Sequence, residues 1–161
     1  MKRITKIATL LSLLVLLATA CNKPEKKELA GTWRWTCTSG GIGGWFYTPD
    51  SEGFEAEIVF KGSQFTFYKD GERVTSGIYR IVYDVDETIY TNKGEEDEPF
   101  YSWFNFRIPK AQSEAIAKAT NGKVCIATAN LATLCHSEAE GEVFSVCDNM
   151  YDGFASTFVK K

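Results

Sequence analysis

The chain of 161 residues has few of the side chains and sequence motifs that enzymes use for catalysis. Its single histidine, His136, stands beside Cys135, whereas histidine is the side chain that most often serves as a general acid or base. No Gly-x-Ser-x-Gly segment is present, and the glycines of residues 40–44 lack the Lys-Ser or Lys-Thr pair of a phosphate-binding loop. We therefore expect a protein that is not an enzyme, that binds no cofactor and that holds His136 in a solvated loop.

Basic residues and metal-ligand spacings are scarce as well. The chain has 18 Lys and Arg against 21 Asp and Glu, so it lacks the excess of positive charge that nucleic-acid binding requires. No CxxC pair is found, and neither the acidic residues 95–98 nor the pair Asp148 and Asp152 follows the spacing of a calcium loop. We expect neither a nucleic-acid partner nor a metal site. The closely spaced carboxylates Glu55 and Glu57 are best explained as exposed strand positions.

The apolar run of residues 7–17 is too short to span a bilayer, which takes about 20 apolar residues. Basic residues precede it and small residues follow it, which is the pattern of an export signal. Cys21 comes next, and residues 17–21 resemble the lipobox of bacterial lipoproteins, in which the cysteine is acylated after cleavage. We predict a signal peptide over residues 1–20, lipidation of Cys21 and a tether over residues 21–29. The alternative is an ordinary secretory cleavage after Ala20.

An acylated Cys21 would hold the protein on a membrane, because each buried methylene of a chain such as palmitate contributes ~0.8 kcal/mol. Asn22 follows the cysteine. The resemblance to Gram-negative lipoproteins implies that a residue other than Asp at this position directs the protein to the outer membrane. We expect a monomeric lipoprotein of the cell envelope, anchored in the outer membrane, and leave open which side of that membrane the domain faces.

Four further cysteines suggest disulfides, because an exported domain folds in an oxidising compartment. Cys37, Cys125, Cys135 and Cys147 allow three pairings, among which the sequence alone does not choose. A hairpin that turned at Asn130 would set Cys125 opposite Cys135, near the ~5.5 Å between Cα atoms that a disulfide needs. This geometry favours that pair, with Cys37 joined to Cys147.

Alternation of apolar and polar residues with a period of two dominates the rest of the chain, as in half-buried strands. Expected strands cover residues 31–37, 55–60, 64–69, 78–85, 87–91, 100–108, 143–147 and 154–159. All four prolines lie outside these runs, and residues 109–122 carry the single helical pattern, opened by Pro109 and closed by Asn121 and Gly122. About eight strands and one short helix predict an all-β fold, an antiparallel barrel over residues 30–161. A two-sheet β-sandwich is the alternative.

Several segments resemble the lipocalin-like lipoproteins of Gram-negative bacteria. They are Gly31-Thr-Trp33, the glycine loop 40–44 with Thr48-Pro49, Phe65-Thr-Phe-Tyr68, Ser76-Gly77-Ile-Tyr79, Cys147-Asp148 and Gly153-Phe154. The resemblance implies a lipocalin-like barrel with space for an apolar molecule and with Trp33 plugging its floor, and it implies no catalytic residue. The lipocalin pattern also packs an Arg of the last strand across this Trp, where the present chain offers only Lys160 and Lys161.

Two functions fit such a barrel. In the first, it binds a small apolar ligand among inward aromatic side chains, namely Trp33, Trp35, Phe65, Phe67, Phe104 and Phe106. In the second, these rings fill the interior, and the protein binds a protein or a glycan through aromatic side chains outside it, namely Trp45, Phe46, Tyr101 and Trp103. We take the first as the expected function and the second as the alternative.

Overall fold

The structure, a computed structural model, describes residues 29–82, 101–137, 139–148 and 153–161. Within them lie strands β1 Gly31–Gly40, β2 Trp45–Tyr47, β3 Ala56–Lys61, β4 Gln64–Lys69, β5 Glu72–Ile78, β6 Arg80–Val82, β7 Tyr101–Arg107, β8 Ala129–Ser137, β9 Gly141–Asp148 and β10 Phe154–Lys160, and helices α1 Pro49–Glu52 and α2 Lys110–Ala119. The predicted signal peptide with Cys21, nearly all of the tether, the strand expected at 87–91, the acidic run 95–98 and Asp152 lie outside the described residues.

The strands join into one antiparallel sheet that nearly closes on itself. Their order is β5-β4-β3-β1-β10-β9-β8-β7-β6, with β2 added beside β1. Only Tyr79 separates β5 from β6 in the chain, and these strands pair with β4 and β7 respectively. A single stretch, residues 72–82, therefore contacts both edges of the sheet and gives a barrel of eight rows. The prediction of an all-β antiparallel barrel is confirmed, and the sandwich is not the fold.

The period-two pattern decides which side chains point into the barrel. In β1 it buries Trp33 and Trp35 completely, and in β4 it buries Phe65 and Phe67. Residues that pair across neighbouring strands point to the same face and are buried together. Trp33, for example, pairs with Ile58 of β3. Successive residues of a strand point to opposite faces, so one apolar row per strand is enough to build a continuous core.

Aromatic rings fill the middle of the barrel. Phe144 of β9 is fully buried, and its ring centroid lies 5.6–6.4 Å from those of five others, Trp33, Phe60, Phe104, Phe106 and Phe158. Three of these contacts are edge-to-face, with interplanar angles of 62°, 88° and 75°. Edge-to-face contacts are favoured because the positive ring edge meets a negative ring face.

Helix α2 packs against strand β5. The helix begins directly after Pro109 and buries Ile116, as its apolar pattern predicts. The Gln112 side chain donates a hydrogen bond from Nε2 to the Ser76 carbonyl of β5, at 3.3 Å. An unpaired strand edge is a template for aggregation, and covering it with a helix is one of the ways in which proteins protect it.

The turn expected at Asn130 is wrong, because strand β8 passes straight through this residue. Asn130 pairs with Asp148 of β9 on one side and with Phe106 of β7 on the other. Its buried amide holds the segment that enters the strand: Oδ1 accepts from the Ala127 N–H at 2.8 Å, and Nδ2 donates to the Ala127 carbonyl at 2.7 Å. His136 is exposed, as expected, but it belongs to β8 and not to a loop.

Candidate functional site

The six aromatic residues predicted to bind a ligand all lie inside the barrel, where they are 0–4% exposed: Trp33, Trp35, Phe65, Phe67, Phe104 and Phe106. Several of them contact other rings directly. The Trp35 ring stacks on Phe54 at 5.3 Å between centroids, and the Phe106 ring lies 5.6 Å from that of Phe144. The predicted inward orientation is confirmed, and the role of these rings in binding a ligand stays a prediction.

Trp33 and Lys160 meet at one end of the barrel, which we call the floor. Trp33 pairs with Lys160 of the last strand, and the Lys160 Nζ lies 5.2 Å from the centroid of the indole ring. The indole N–H donates to the Leu29 carbonyl at 2.7 Å. Lys160 also forms an ion pair with Glu142. A cation over a tryptophan face is favourable because the ring face is negative, so Lys160 closes this end of the barrel.

A hairpin projects from the other end, the mouth of the barrel. We define the mouth hairpin as residues 38–47, the end of β1 together with β2. Strand β3 pairs with β1 only from Gly31 to Arg34, whereas β2 pairs with β1 from Thr38 to Gly40. The mouth hairpin therefore continues the barrel wall beyond the point where β3 has left it.

Three aromatic rings form a row on one face of this extension. We define the aromatic row as Trp45 and Tyr47 of β2 with Phe154 of β10. The rings of Trp45 and Tyr47 are 6.5 Å apart with an interplanar angle of 10°, and those of Tyr47 and Phe154 are 6.3 Å apart at 27°. Both contacts are stacked, so that the ring planes are nearly parallel, and Trp45 is the strongly exposed ring of the three.

Glycine makes the aromatic row possible. Gly40 lies between Trp45 and Phe154 in the sheet, since it pairs with both. A Cβ atom at Gly40 would lie 2.2 Å from the Gly153 carbonyl oxygen, so no other residue fits. A Cβ atom at Gly43 would lie 2.8 Å from the Trp45 Nε1, which shows that the indole packs closely over the turn.

Lys123 connects the aromatic row to helix α1. Its Nζ lies 3.7 Å from the centroid of the Tyr47 ring and 3.6 Å from the Glu52 carboxylate of α1. The next residue, Val124, is fully buried. The following residue, Cys125, donates its N–H to the Ser156 Oγ at 2.8 Å. The segment that carries Lys123 is therefore fixed, and Lys123 holds the Tyr47 ring in place.

Asp148 and Cys125 lie together at the same end of the barrel. The Asp148 Oδ1 is buried and has no hydrogen-bond partner among the described residues. Burial and the negative charge of Asp148 raise the pKa of the Cys125 thiol to about 11, because both disfavour the thiolate. Cys125 donates its S–H to the Gly122 carbonyl at 3.4 Å.

The predicted disulfides are not present: Cys37, Cys125, Cys135 and Cys147 are free thiols. The Cys125–Cys135 pair fails because β8 runs through Asn130, so that the two residues do not face each other across a hairpin. The Cys37–Cys147 pair fails because strand β10 lies between β1 and β9. Neighbouring strands are about 4.8 Å apart, which places these two residues farther apart than the ~7 Å limit for a disulfide.

The structure separates the aromatic residues that the sequence assigned to one interaction surface. Trp45 and Phe46 are 58% and 63% exposed in the mouth hairpin. Tyr101 and Trp103 belong to β7, which lies four positions from β1 along the sheet. Tyr47, Phe154 and Lys123 were not predicted as contact residues. The position of Tyr47 two residues after Trp45 in a short strand was the available signal.

Comparisons and searches add no assignment. No protein-family model, no curated protein and no solved structure matches the chain. No helix within the described ranges is long and apolar enough to cross a bilayer. In the same part of the chain, no group of three or more His, Cys, Asp and Glu side chains is suited to hold a metal ion. The candidate site therefore rests on the geometry of the mouth hairpin.

Proposed function

We propose that this chain is a lipid-anchored protein of the cell envelope that binds a partner through its mouth hairpin and catalyses no reaction. The observation that supports this most is the exposure of Ile42, Trp45 and Phe46, at 93%, 58% and 63%. Exposure of large apolar side chains to water is unfavourable in free energy. Clusters of such side chains mark contact surfaces in other proteins.

The position of the hairpin relative to the proposed anchor fits this function. Strand β1 has ten residues, which at ~3.3 Å per residue separate its ends by about 30 Å. Gly31 follows the predicted tether at the floor end, and Gly40 leads into the hairpin at the mouth end. A lipid on Cys21 would therefore hold the floor end toward the outer membrane, with the mouth hairpin directed away from it.

A carrier of a small apolar ligand is the second candidate, and it rests on the aromatic lining of the barrel. Phe104 and Phe106 are 4% and 0% exposed, and both contact Phe144. A ligand of several carbon atoms would have to displace these rings. Native mass spectrometry of the protein purified from its host tests this candidate: we expect the bare mass, and a one-to-one adduct that leaves on denaturation would support the carrier.

The binding function is tested on the full-length lipoprotein in its host by chemical cross-linking in intact cells. Wild type is compared with the double variant W45S/F46S, and V82S serves as the control because Val82 is 43% exposed on β6, on another part of the barrel. We expect protein or carbohydrate that cross-links to wild type and to V82S to fall at least tenfold in the double variant. Equal recovery with all three proteins would contradict the proposal.

A further inference from the structure

We propose that the partner of the mouth hairpin is a neutral glycan, whose sugar ring stacks on Trp45 in the aromatic row. This inference rests on the proposed function and names the class of ligand for the same surface. It is drawn from the shape, packing and charge of the aromatic row.

The shape of the row fits a flat ligand. The Trp45 and Tyr47 rings are within 10° of parallel, and Trp45 is 58% exposed. A pyranose ring has an apolar face of C–H groups and a rim of hydroxyl groups. The C–H groups carry slight positive charge, as aromatic edges do, so that they are attracted to the negative face of an indole. The exposed Trp45 indole offers such a face to one sugar ring, whereas Lys123 covers the Tyr47 ring.

The size of the surface favours a sugar over a protein. A stable protein interface buries about 800 Å² on each partner and uses about 20–30 residues a side. The mouth hairpin is ten residues long, and only Ile42, Trp45 and Phe46 among its large apolar side chains are strongly exposed. Phe46 lies on the opposite face of β2 from Trp45, because successive strand residues alternate. Trp45 is therefore the strongly exposed ring on its face of β2, and one exposed ring is enough to stack one sugar.

Two rings of the row are packed against neighbouring groups. The Trp45 indole packs over Gly43, where a Cβ atom would approach the Nε1 to 2.8 Å. Tyr47 is covered on one side by Lys123, whose Nζ lies 3.7 Å from the ring centroid. A preorganised site loses less conformational entropy on binding. Aromatic side chains without such contacts would lose more conformational entropy on binding.

The charges near the row indicate a neutral glycan. Lys123 is the cation at the row, and its charge is balanced by Glu52 at 3.6 Å. Both side chains are partly exposed and offer a donor and an acceptor for hydroxyl groups. The whole chain is acidic, with a formal net charge of −3, which opposes acidic sugars. A neutral hexose polymer has hydroxyl groups that can bind Lys123 and Glu52, and it carries no negative charge that the protein would repel.

The experiment uses affinity gel electrophoresis of the folded protein in gels that contain one soluble polysaccharide each. The probes are a β-glucan, a mannan, a xyloglucan and, as the acidic comparison, polygalacturonate. We expect at least one neutral polymer to retard the protein and polygalacturonate to have no effect. Tryptophan fluorescence should change with the same polymer, since of the three tryptophans whose side chains the structure describes only Trp45 is exposed.

Two matched variants complete the test. W45A should weaken retardation at least tenfold, whereas V82A should leave it within twofold, because Val82 is 43% exposed on β6, away from the mouth hairpin. Absence of retardation by every neutral polymer, or equal losses in the two variants, overturns the glycan inference. If cross-linking then shows a protein partner that the W45S/F46S variant loses, the binding function stands with a protein as its ligand. If the double variant cross-links like wild type, the binding function fails as well.

Discussion

Phe144 lies where five other aromatic rings meet, and its replacement by alanine tests whether the barrel interior is a filled core. The side chain is fully buried, so the change removes all of its apolar contacts and leaves a cavity. Phe-to-Ala replacements in cores cost about 3–5 kcal/mol. Because the neighbouring rings belong to four different strands and cannot all close the gap, we expect about 4 kcal/mol for F144A.

The measurement is equilibrium unfolding in urea, followed by tryptophan fluorescence. With an m-value of about 2 kcal/mol per molar, a loss of ~4 kcal/mol lowers the midpoint by about 2 M. The control is F46A, which removes the same atoms from a side chain that is 63% exposed and should stay within about 0.5 kcal/mol of wild type.

A loss of less than about 1.5 kcal/mol for F144A, with an unchanged m-value, would refute the filled-core reasoning, because a ring bordering open space is removed at little cost. It would also favour the carrier function. If F144A does not fold, F144L keeps the test open. This variant retains most of the volume and should cost about 1–1.5 kcal/mol.

Three further predictions concern single residues. Because the Cys125 pKa is raised to about 11, alkylation of this thiol at pH 8 should be about 100-fold slower in the folded than in the unfolded chain, and peptide mass mapping should find all four cysteines free. The protonated thiol stabilises the fold, so this contribution is complete below the ordinary pKa of 9.0 and is lost as the pH rises from 9 through 11. G40A should cost about 3 kcal/mol in urea unfolding, because its Cβ meets a backbone oxygen at 2.2 Å, whereas G44A, with open space around it, should cost only the ~1–2 kcal/mol of a positive φ angle; equal losses would contradict the clash. N130A should cost about 2–4 kcal/mol, since it removes the partners of the half-buried backbone groups of residue 127 and of the Phe106 carbonyl; a loss below 1 kcal/mol would contradict this role.

Much of the fold could be predicted from the sequence because strand periodicity is a local property. The alternation in β1 and β4 identified the inward residues Trp33, Trp35, Phe65 and Phe67, all of which are buried. Helix α2 was likewise indicated by Pro109 and a short apolar stripe. These predictions succeed because a side chain's direction in a strand or helix follows from its position alone.

The errors arose where one residue had two possible roles. Asparagine is common in turns, yet Asn130 is buried in β8. There its side-chain amide forms hydrogen bonds with the backbone of residue 127. The predicted disulfides, Cys125–Cys135 and Cys37–Cys147, depended on that turn and are therefore wrong as well. Tyr79 alternates with its neighbours as part of one strand, and only the pairing of β5 with β4 and of β6 with β7 shows that the strand changes partners there.

The sequence by itself determined the class of fold and the row of residues that faces the core, because these depend on composition and local spacing. Tertiary structure decided which strands became neighbours, and with them the site. The aromatic row joins Tyr47 to Phe154 across more than a hundred residues, and Lys123 reaches it from a third segment. The physical reason is that strand order and the closure of the barrel depend on contacts between distant residues, which no local pattern specifies.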